Sequence, residues 1–304
     1  MYDFEEDSAH ASAAAGPARA LRFAELPRWI AEYTSSRLVD LVPAVGPAGR
    51  VGQGRPVLVI PGFSANDQMT GRLRGHLRRA GFTVHGWGQG RNIGLTDTLI
   101  DGLLARFGEV AAAHPGERIS VVGWSFGGLL ARWIAHTHPD RVRQVICLGS
   151  PWRAEGERTR ATAMFERSRI KHGISDRAEE MVALLRSPVP VPTTAIYSRT
   201  DGIVPWRGCA VDAPLPGGAV AENVEVPSSH VGMVANPLVL DAVVDRLAQD
   251  PEHWRPFRWR SALATAWRGT PSGPSSTAWA GVTDTPDASD ETDATDAHPP
   301  AVAR

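Results

Sequence analysis

From Val57 onward, short buried-strand patterns alternate with helix patterns, and this alternation narrows the folds open to the chain more than any other feature. Apolar runs at Val57 to Ile60, Phe82 to Gly86, Ile119 to Trp124, Val142 to Leu148, Thr193 to Tyr197 and Asn223 to Val226 read as strands. Asp67 to Arg79, Thr96 to Ala113, Phe126 to Thr137 and Pro237 to Gln249 carry helical spacing. Such a chain is expected to form an α/β fold: a mostly parallel sheet covered by helices on both faces, with ligands beyond the carboxyl ends of the strands.

The third strand runs into Gly123-Trp124-Ser125-Phe126-Gly127, and a helix pattern follows at once. Glycines two before and two after the serine let the backbone turn sharply, which lifts the hydroxyl into the open above the sheet. G-x-S-x-G is a short pattern; its place between a buried strand and a helix is what makes Ser125 a candidate nucleophile.

A serine hydroxyl is a weak nucleophile at neutral pH and needs a base and a group that orients the base. Asp201 lies in the turn after the strand ending at Tyr197, and His230 lies in the loop after the strand ending at Val226. Asp201-Gly202 is also a good type I turn pair, so the order of the three residues carries more weight than the dipeptide. His253 follows the last strand and helix, and His298 sits in a Pro- and Asp-rich tail, which makes His230 the better base.

The order Ser125, Asp201, His230 resembles that of the α/β-hydrolases of the esterase and lipase type, over about Pro56 to Leu247. The resemblance implies an oxyanion hole built from the backbone N–H groups of Phe126 and of Phe63, the latter in the loop Pro61-Gly62-Phe63-Ser64. It also implies an antiparallel strand pair ahead of Val57; no convincing hairpin stands there, so the sheet is expected to be shortened to about six strands. The strand ending at Leu148, an alternative place for the acid in this family, carries no carboxylate at its end; Glu155 and Glu157 follow it and read as solvated charges. Relatives that use an aspartate nucleophile are disfavoured by Ser125.

The remaining motifs are weaker. Gly86-Trp87-Gly88-Gln89-Gly90 lacks the third glycine of a dinucleotide fingerprint, because Arg91 stands there, and reads as a loop near the site mouth. His136 and His138 have no third metal ligand at usable spacing. Neither a cofactor nor a metal is called for. The net charge of −1 over 304 residues gives no reason to expect nucleic acid or an anionic membrane as partner. Cys147 and Cys209 do not make a disulfide framework. The start lacks the order of a signal peptide and no apolar run reaches membrane-span length, so a cytoplasmic enzyme is expected.

Residues 1–20 are expected to be disordered, and 21–45 to hold an amphipathic helix, Leu26 to Val42 with Pro27 at its start, packed on the core through Trp29, Ile30, Tyr33, Leu38 and Leu41. The hydrolase domain spans 46–252, with a lid inserted at 153–190 that carries Met164 and Phe165 on one short helix and Met181, Val182, Leu184 and Leu185 on another. Residues 253–304 form an extension, expected to be disordered after 269.

Together these features predict a serine hydrolase that cleaves carboxylic esters of apolar acyl groups. Trp124, Trp152, Trp206, Met164 and Phe165 are the expected pocket wall, with further aromatics at Phe63, Trp87 and Phe126. A thioesterase or acyltransferase would use the same residues, and a non-catalytic binding protein of the same fold is a third reading. Oligomeric state is open.

Overall fold

The computed structural model of the chain describes residue 17 and residues 19–39, 51–153, 160–185, 187–211, 219–250 and 253–259. The expectations for residues 1–16 and for the tail beyond 269 lie outside these, as do Glu155, Glu157 and His298. Among the described residues there are six strands, β1 (Pro56–Ile60), β2 (Thr83–Gly86), β3 (Ile119–Trp124), β4 (Val142–Leu148), β5 (Thr193–Tyr197) and β6 (Ala221–Glu225). Their spatial order is β2-β1-β3-β4-β5-β6, and every neighbouring pair is parallel. The chain steps outward from β1 to β2, returns to place β3 on the other side of β1, and then adds strands in one direction.

Seven α-helices accompany them: α1 (Arg19–Val39), α2 (Gly71–Arg79), α3 (Asp97–Ala113), α4 (Phe126–Thr137), α5 (Arg160–His172), α6 (Ala178–Leu185) and α7 (Pro237–Ala248). Strand side chains alternate between two apolar layers. Val57, Val59, Val122, Ile146 and Ile196 pack with Leu73 and Leu77 of α2 and Leu240, Val243 and Leu247 of α7. On the other face, Leu58, Ile60, Val121 and Val145 pack with Leu103 and Phe107 of α3, Leu130 and Ile134 of α4 and Met181 of α6. Strands β1, β3 and β5 are buried along their whole length, as continuous apolar runs in a sheet covered on both sides should be. No helix among the described residues is long and apolar enough to cross a membrane.

Two local expectations are corrected. Helix α2 begins at Gly71 rather than at Asp67, because the Asp67 carboxylate accepts the backbone N–H groups of Trp87 (3.1 Å) and Gly88 (2.9 Å) and holds its own segment as a loop. Helix α1 runs from Arg19 to Val39 with Pro27 inside it, and it is turned over relative to its apolar spacing. Phe23 is 85% exposed, Leu26 63% and Leu38 64%, whereas Glu25 and Glu32 are buried. Pro27 is exposed, so the carbonyl it leaves without a helical partner lies on the water-facing side.

Candidate active site

Ser125 occupies the junction of β3 and α4 with φ 53° and ψ −124°, a left-handed conformation that a serine adopts only when its surroundings impose it. Those surroundings are glycines. A Cβ on Gly123 would collide with the backbone of Gly127 and Gly128, and one on Gly127 would collide with the carbonyl of Ile60, so the turn closes only without side chains there. The Ser125 N–H donates to the Leu148 carbonyl at 2.7 Å, which pins the turn to the end of β4.

The structure brings Asp201, His230 and Ser125 into one line. His230 Nδ1 lies 2.7 Å from Asp201 Oδ2, and His230 Nε2 lies 3.0 Å from Ser125 Oγ. Asp201 follows β5 and His230 follows β6, so both stand at carboxyl ends of adjacent strands. The second carboxylate oxygen of Asp201 accepts the N–H groups of Ile203 (2.8 Å) and Val204 (2.7 Å), leaving Oδ2 for the imidazole. Both side chains are buried, with Asp201 and His230 each 4% exposed. Burial opposes a charge on the imidazole, but the Asp201 carboxylate and the nearby Glu25 outweigh it, so the His230 pKa lies above its ordinary value. Trp124 donates its indole N–H to the His230 carbonyl at 3.0 Å and so fixes the backbone behind the ring.

The loop after β1 lies against this turn. A Cβ on Gly62 would stand 3.1 Å from the Cβ of Ser125, which puts the backbone of Phe63 beside the serine. The rings of Phe63 and Phe126 meet edge to face at 6.2 Å. Asn92, fully buried, donates to the Pro61 carbonyl at 2.9 Å while its own carbonyl accepts from Ser64 at 2.6 Å, so one residue clamps both sides of Gly62-Phe63. Nothing in the sequence around Asn92 marked it for this position.

A cavity of about 470 Å³ opens beside the turn, lined by Phe126 and Leu129 of α4, by Leu95 and Ile174, and by Met181 and Val182 of α6. Trp124, Trp152 and Trp206, expected as the wall of a substrate pocket, are not among the residues lining this cavity. Trp124 shares the strand parity of Val122 and points into the core with α2 and α7. Trp152 donates to the Ala210 carbonyl at 2.9 Å and carries the Arg132 and Arg153 guanidiniums over its ring, while Trp206 stacks on Tyr197 at 5.5 Å. Trp87 is fully buried in the core instead of standing at a site mouth. Met164 and Phe165 lie on α5, with side chains outside the described residues. The cysteines offer no rival nucleophile, because both are buried and burial pushes the Cys147 thiol up to about 11.

Residues 55–169 match a family model described as alpha/beta hydrolase fold. The chain is 32% identical over 111 residues to a pimeloyl-[acyl-carrier protein] methyl ester esterase of Aliivibrio salmonicida; the match covers 35% of this chain and 40% of that protein. Among solved structures, one of the metagenome-derived lipolytic enzymes LipS and LipT aligns with a TM-score of 0.49 and 20% identity, over 67% of this chain and 98% of the other. The mouse alpha/beta hydrolase domain-containing protein 10 aligns with a TM-score of 0.42 and 16% identity, over 64% and 90%.

Proposed function

The chain belongs to the alpha/beta hydrolase superfamily, and from that premise we propose that it is a serine hydrolase cleaving carboxylic esters of apolar acyl groups through an acyl-serine intermediate. The observation that carries this reading is the relay Asp201 Oδ2 to His230 to Ser125 Oγ, with separations of 2.7 and 3.0 Å. Both are within the reach that proton transfer from a serine requires.

In the proposed reaction His230 Nε2 takes the Ser125 proton as Oγ attacks the ester carbonyl carbon. The carbonyl π electrons move onto oxygen, where the backbone N–H groups of Phe63 and Phe126 receive the developing charge, each contributing on the order of a few kcal/mol to the barrier. Collapse of the tetrahedral intermediate breaks the bond to the alkoxy oxygen, and His230 returns the proton to the departing alcohol. Water, deprotonated by the same nitrogen, then attacks the acyl-serine; the second tetrahedral intermediate collapses by breaking the bond between the acyl carbon and Oγ, His230 returns the proton to Ser125, and the acid leaves. Asp201 keeps the imidazole in the tautomer with its proton on Nδ1 and stabilises the imidazolium while it lasts.

The acyl group is assigned to the cavity beside Phe126. Its volume falls within the range of about 300–1,000 Å³ usual for small-molecule pockets, and Glu179 is the one charged residue among its lining. Helix α6, from the segment proposed as the lid, forms one wall; Arg177 just before it reaches Asp101 of α3 at 2.8 Å, and Ser175 donates its N–H to the Leu95 carbonyl at 2.7 Å. The esterase named above acts on an ester, which agrees with this chemistry and leaves the alcohol and acyl identity of the present substrate open to measurement.

The test is a fluorophosphonate probe together with a panel of acyl esters and acyl thioesters, on the purified protein and on Ser125→Ala. Single labelling at Ser125 with ester turnover that the variant lacks is expected. Labelling at another residue, or turnover that survives in Ser125→Ala, would overturn the assignment.

A further inference from the structure

Helix α1 meets the site through a polar stripe, Glu25, Arg28, Glu32 and Ser36, spaced to fall on one helix face. Its carboxylates bind loop backbone. Glu25 Oε1 accepts the N–H of Gly202 at 2.7 Å, and Glu25 Oε2 accepts the N–H of His230 at 2.9 Å. Glu32 accepts the N–H of Ser229 at 2.7 Å and the Ser229 hydroxyl at 2.5 Å, and Asn236 donates to it at 3.3 Å. Between them Arg28 donates to the carbonyl and the hydroxyl of Thr200 at 2.5 and 2.8 Å, and Arg72 of α2 donates to Ser36. The contacts therefore fall on residues 200 and 202, on either side of Asp201, and on residues 229 and 230.

We propose that Glu25 is a positioning residue for the relay: one carboxylate ties the loop that carries Asp201 to the loop that carries His230, so that α1 sets their alignment. The proposal rests on the hydrolase reading for its consequence in turnover, though not for its geometry. The two loops leave neighbouring strands, and the backbone pairing between them ends at Tyr197 and Val226; beyond it they are joined directly by the Ser228 N–H donating to Ser198 Oγ at 3.0 Å, by Thr200 Oγ1 donating to the Ser228 carbonyl at 3.4 Å and by the Asp201–His230 bond itself, and Glu25 adds a link from a third element, α1. The link at Glu25 is 7% exposed, and a carboxylate so placed is costly to bury unless its oxygens are bonded, which accounts for its having backbone donors on both. A misalignment of about 1 Å in such a relay can cost on the order of a hundredfold in rate. Glu25 also acts on the imidazole directly. The charges that face His230 are Asp201 and Glu25, both of which raise its pKa, while Arg28 bears on Glu32.

The experiment compares the full-length protein with Glu25→Gln and Glu25→Asp. It measures kcat and KM against pH on an ester the wild type hydrolyses, the melting temperature, and the titration of the His230 ring by NMR. In Glu25→Gln the charge is gone and the amide nitrogen cannot accept, so either Gly202 loses its acceptor or His230 loses its bond to Oε2 and keeps only the longer one, 3.1 Å, that it makes to Oε1. A fall in kcat of about tenfold or more is expected, with KM within about twofold of wild type and the His230 titration moved to lower pH. Glu25→Asp keeps the charge but is too short to reach both loops; it should restore the titration and not the rate. A folded Glu25→Gln with wild-type kcat and unmoved His230 titration would overturn the proposal and leave α1 as a structural strut. If Glu25→Gln does not fold, Glu25→Asp decides, since wild-type kcat there would equally overturn it. A wild type inactive on every ester defeats the hydrolase reading instead, and the His230 titration still tests the link from Glu25.

Discussion

Asp201 gives His230 one oxygen and keeps the other for its own backbone: Oδ2 lies 2.7 Å from Nδ1, while Oδ1 is held by the N–H groups of Ile203 and Val204. The carboxylate therefore cannot rotate without breaking two bonds, and the imidazole tautomer is set by a fixed acceptor. Asp201→Asn puts an amide in that place. If its nitrogen faces Nδ1, the proton is driven to Nε2 and the base is lost; if its nitrogen faces the loop, two backbone donors lose their acceptor. The expected outcome is a kcat lower by about three orders of magnitude or more, with the folded protein retained by circular dichroism. Nearly full activity in Asp201→Asn would mean that another carboxylate serves the histidine.

The pH dependence follows from His230. It must be neutral to accept the serine proton, and its pKa is raised above the ordinary 6.5, with Asp201 and Glu25 together outweighing burial. Activity should fall as pH drops through that raised value, so the acid limb of kcat/KM belongs above 6.5 and not below it. The same raised pKa means that protonated His230 favours the folded state, a contribution fully present below its unfolded pKa and lost as pH rises through the folded one. The activity and the stability attributable to this group should thus change in opposite directions across the window. A kcat/KM profile against pH on a neutral ester measures the first, and melting of His230→Ala against wild type measures the second.

Much of this arrangement was legible in the sequence because it is local. Strands β1, β3 and β5 are short buried runs bounded by turn residues, β4 is apolar from Val145 to Leu148 after Arg143 and Gln144, and α4 and α7 match their expected starts because Gly-rich and Asn-Pro turns announce them. Thr96, expected as the first residue of its helix, caps α3 instead by accepting from Leu99, and the helix starts one residue later at Asp97. What could not be read was which face of α1 turns inward. Apolar spacing normally marks the buried face, and Glu25 and Glu32 look like solvated charges until the free N–H groups of the loops at 202, 229 and 230 are in view. A polar stripe at spacing i, i+3, i+7 and i+11 was the available signal. The lining of the cavity beside Phe126 was not legible for another reason. Trp124, Trp152 and Trp206 neighbour the site in sequence, but the cavity is lined by aliphatic residues of α4 and α6 that carry no motif, while Trp124 packs in the core beside the His230 ring, Trp152 carries arginines and Trp206 stacks on Tyr197.

Asp241 on α7 offers a stability prediction independent of the reaction. Burial pushes its carboxyl up to about 6, with His76 Nε2 3.7 Å away. An acid whose folded pKa is raised stabilises the folded state when protonated, so its contribution is fully present below the unfolded pKa of 3.8 and lost as pH rises through 6. Asp241→Asn should therefore be more stable than wild type at pH 8, by on the order of 1 kcal/mol after allowing for a side chain still 31% exposed, and the gap should close on acidification to pH 4. Chemical denaturation at the two pH values checks it. A variant less stable at pH 8 would show that the contacts of the Asp241 carboxylate, with His76 Nε2 at 3.7 Å among them, outweigh its burial.

The cavity beside Phe126 makes the substrate reading measurable. An acyl chain leaving Ser125 over Leu129 would run between α4 and α6, against Met181, Val182 and Ile174. Each methylene buried there should contribute roughly 0.8 kcal/mol until the cavity is filled, so kcat/KM should rise from acetyl to medium-chain esters by about threefold to fourfold per carbon. Val182 and Ile174 are partly exposed on the outer wall, at 46% and 43%, so both can be replaced with little effect on the core. The double variant Ile174→Ser and Val182→Ser should keep acetyl ester turnover near wild type and flatten the rise with chain length. The measurement is a chain-length series on both proteins. If the wild type prefers acetate, the cavity does not receive the acyl group; if the double variant loses acetate and longer esters alike, α6 supports the site as a whole and does not form an acyl wall. Either outcome would move the substrate assignment toward a small ester or toward an acyl donor held from outside the cavity.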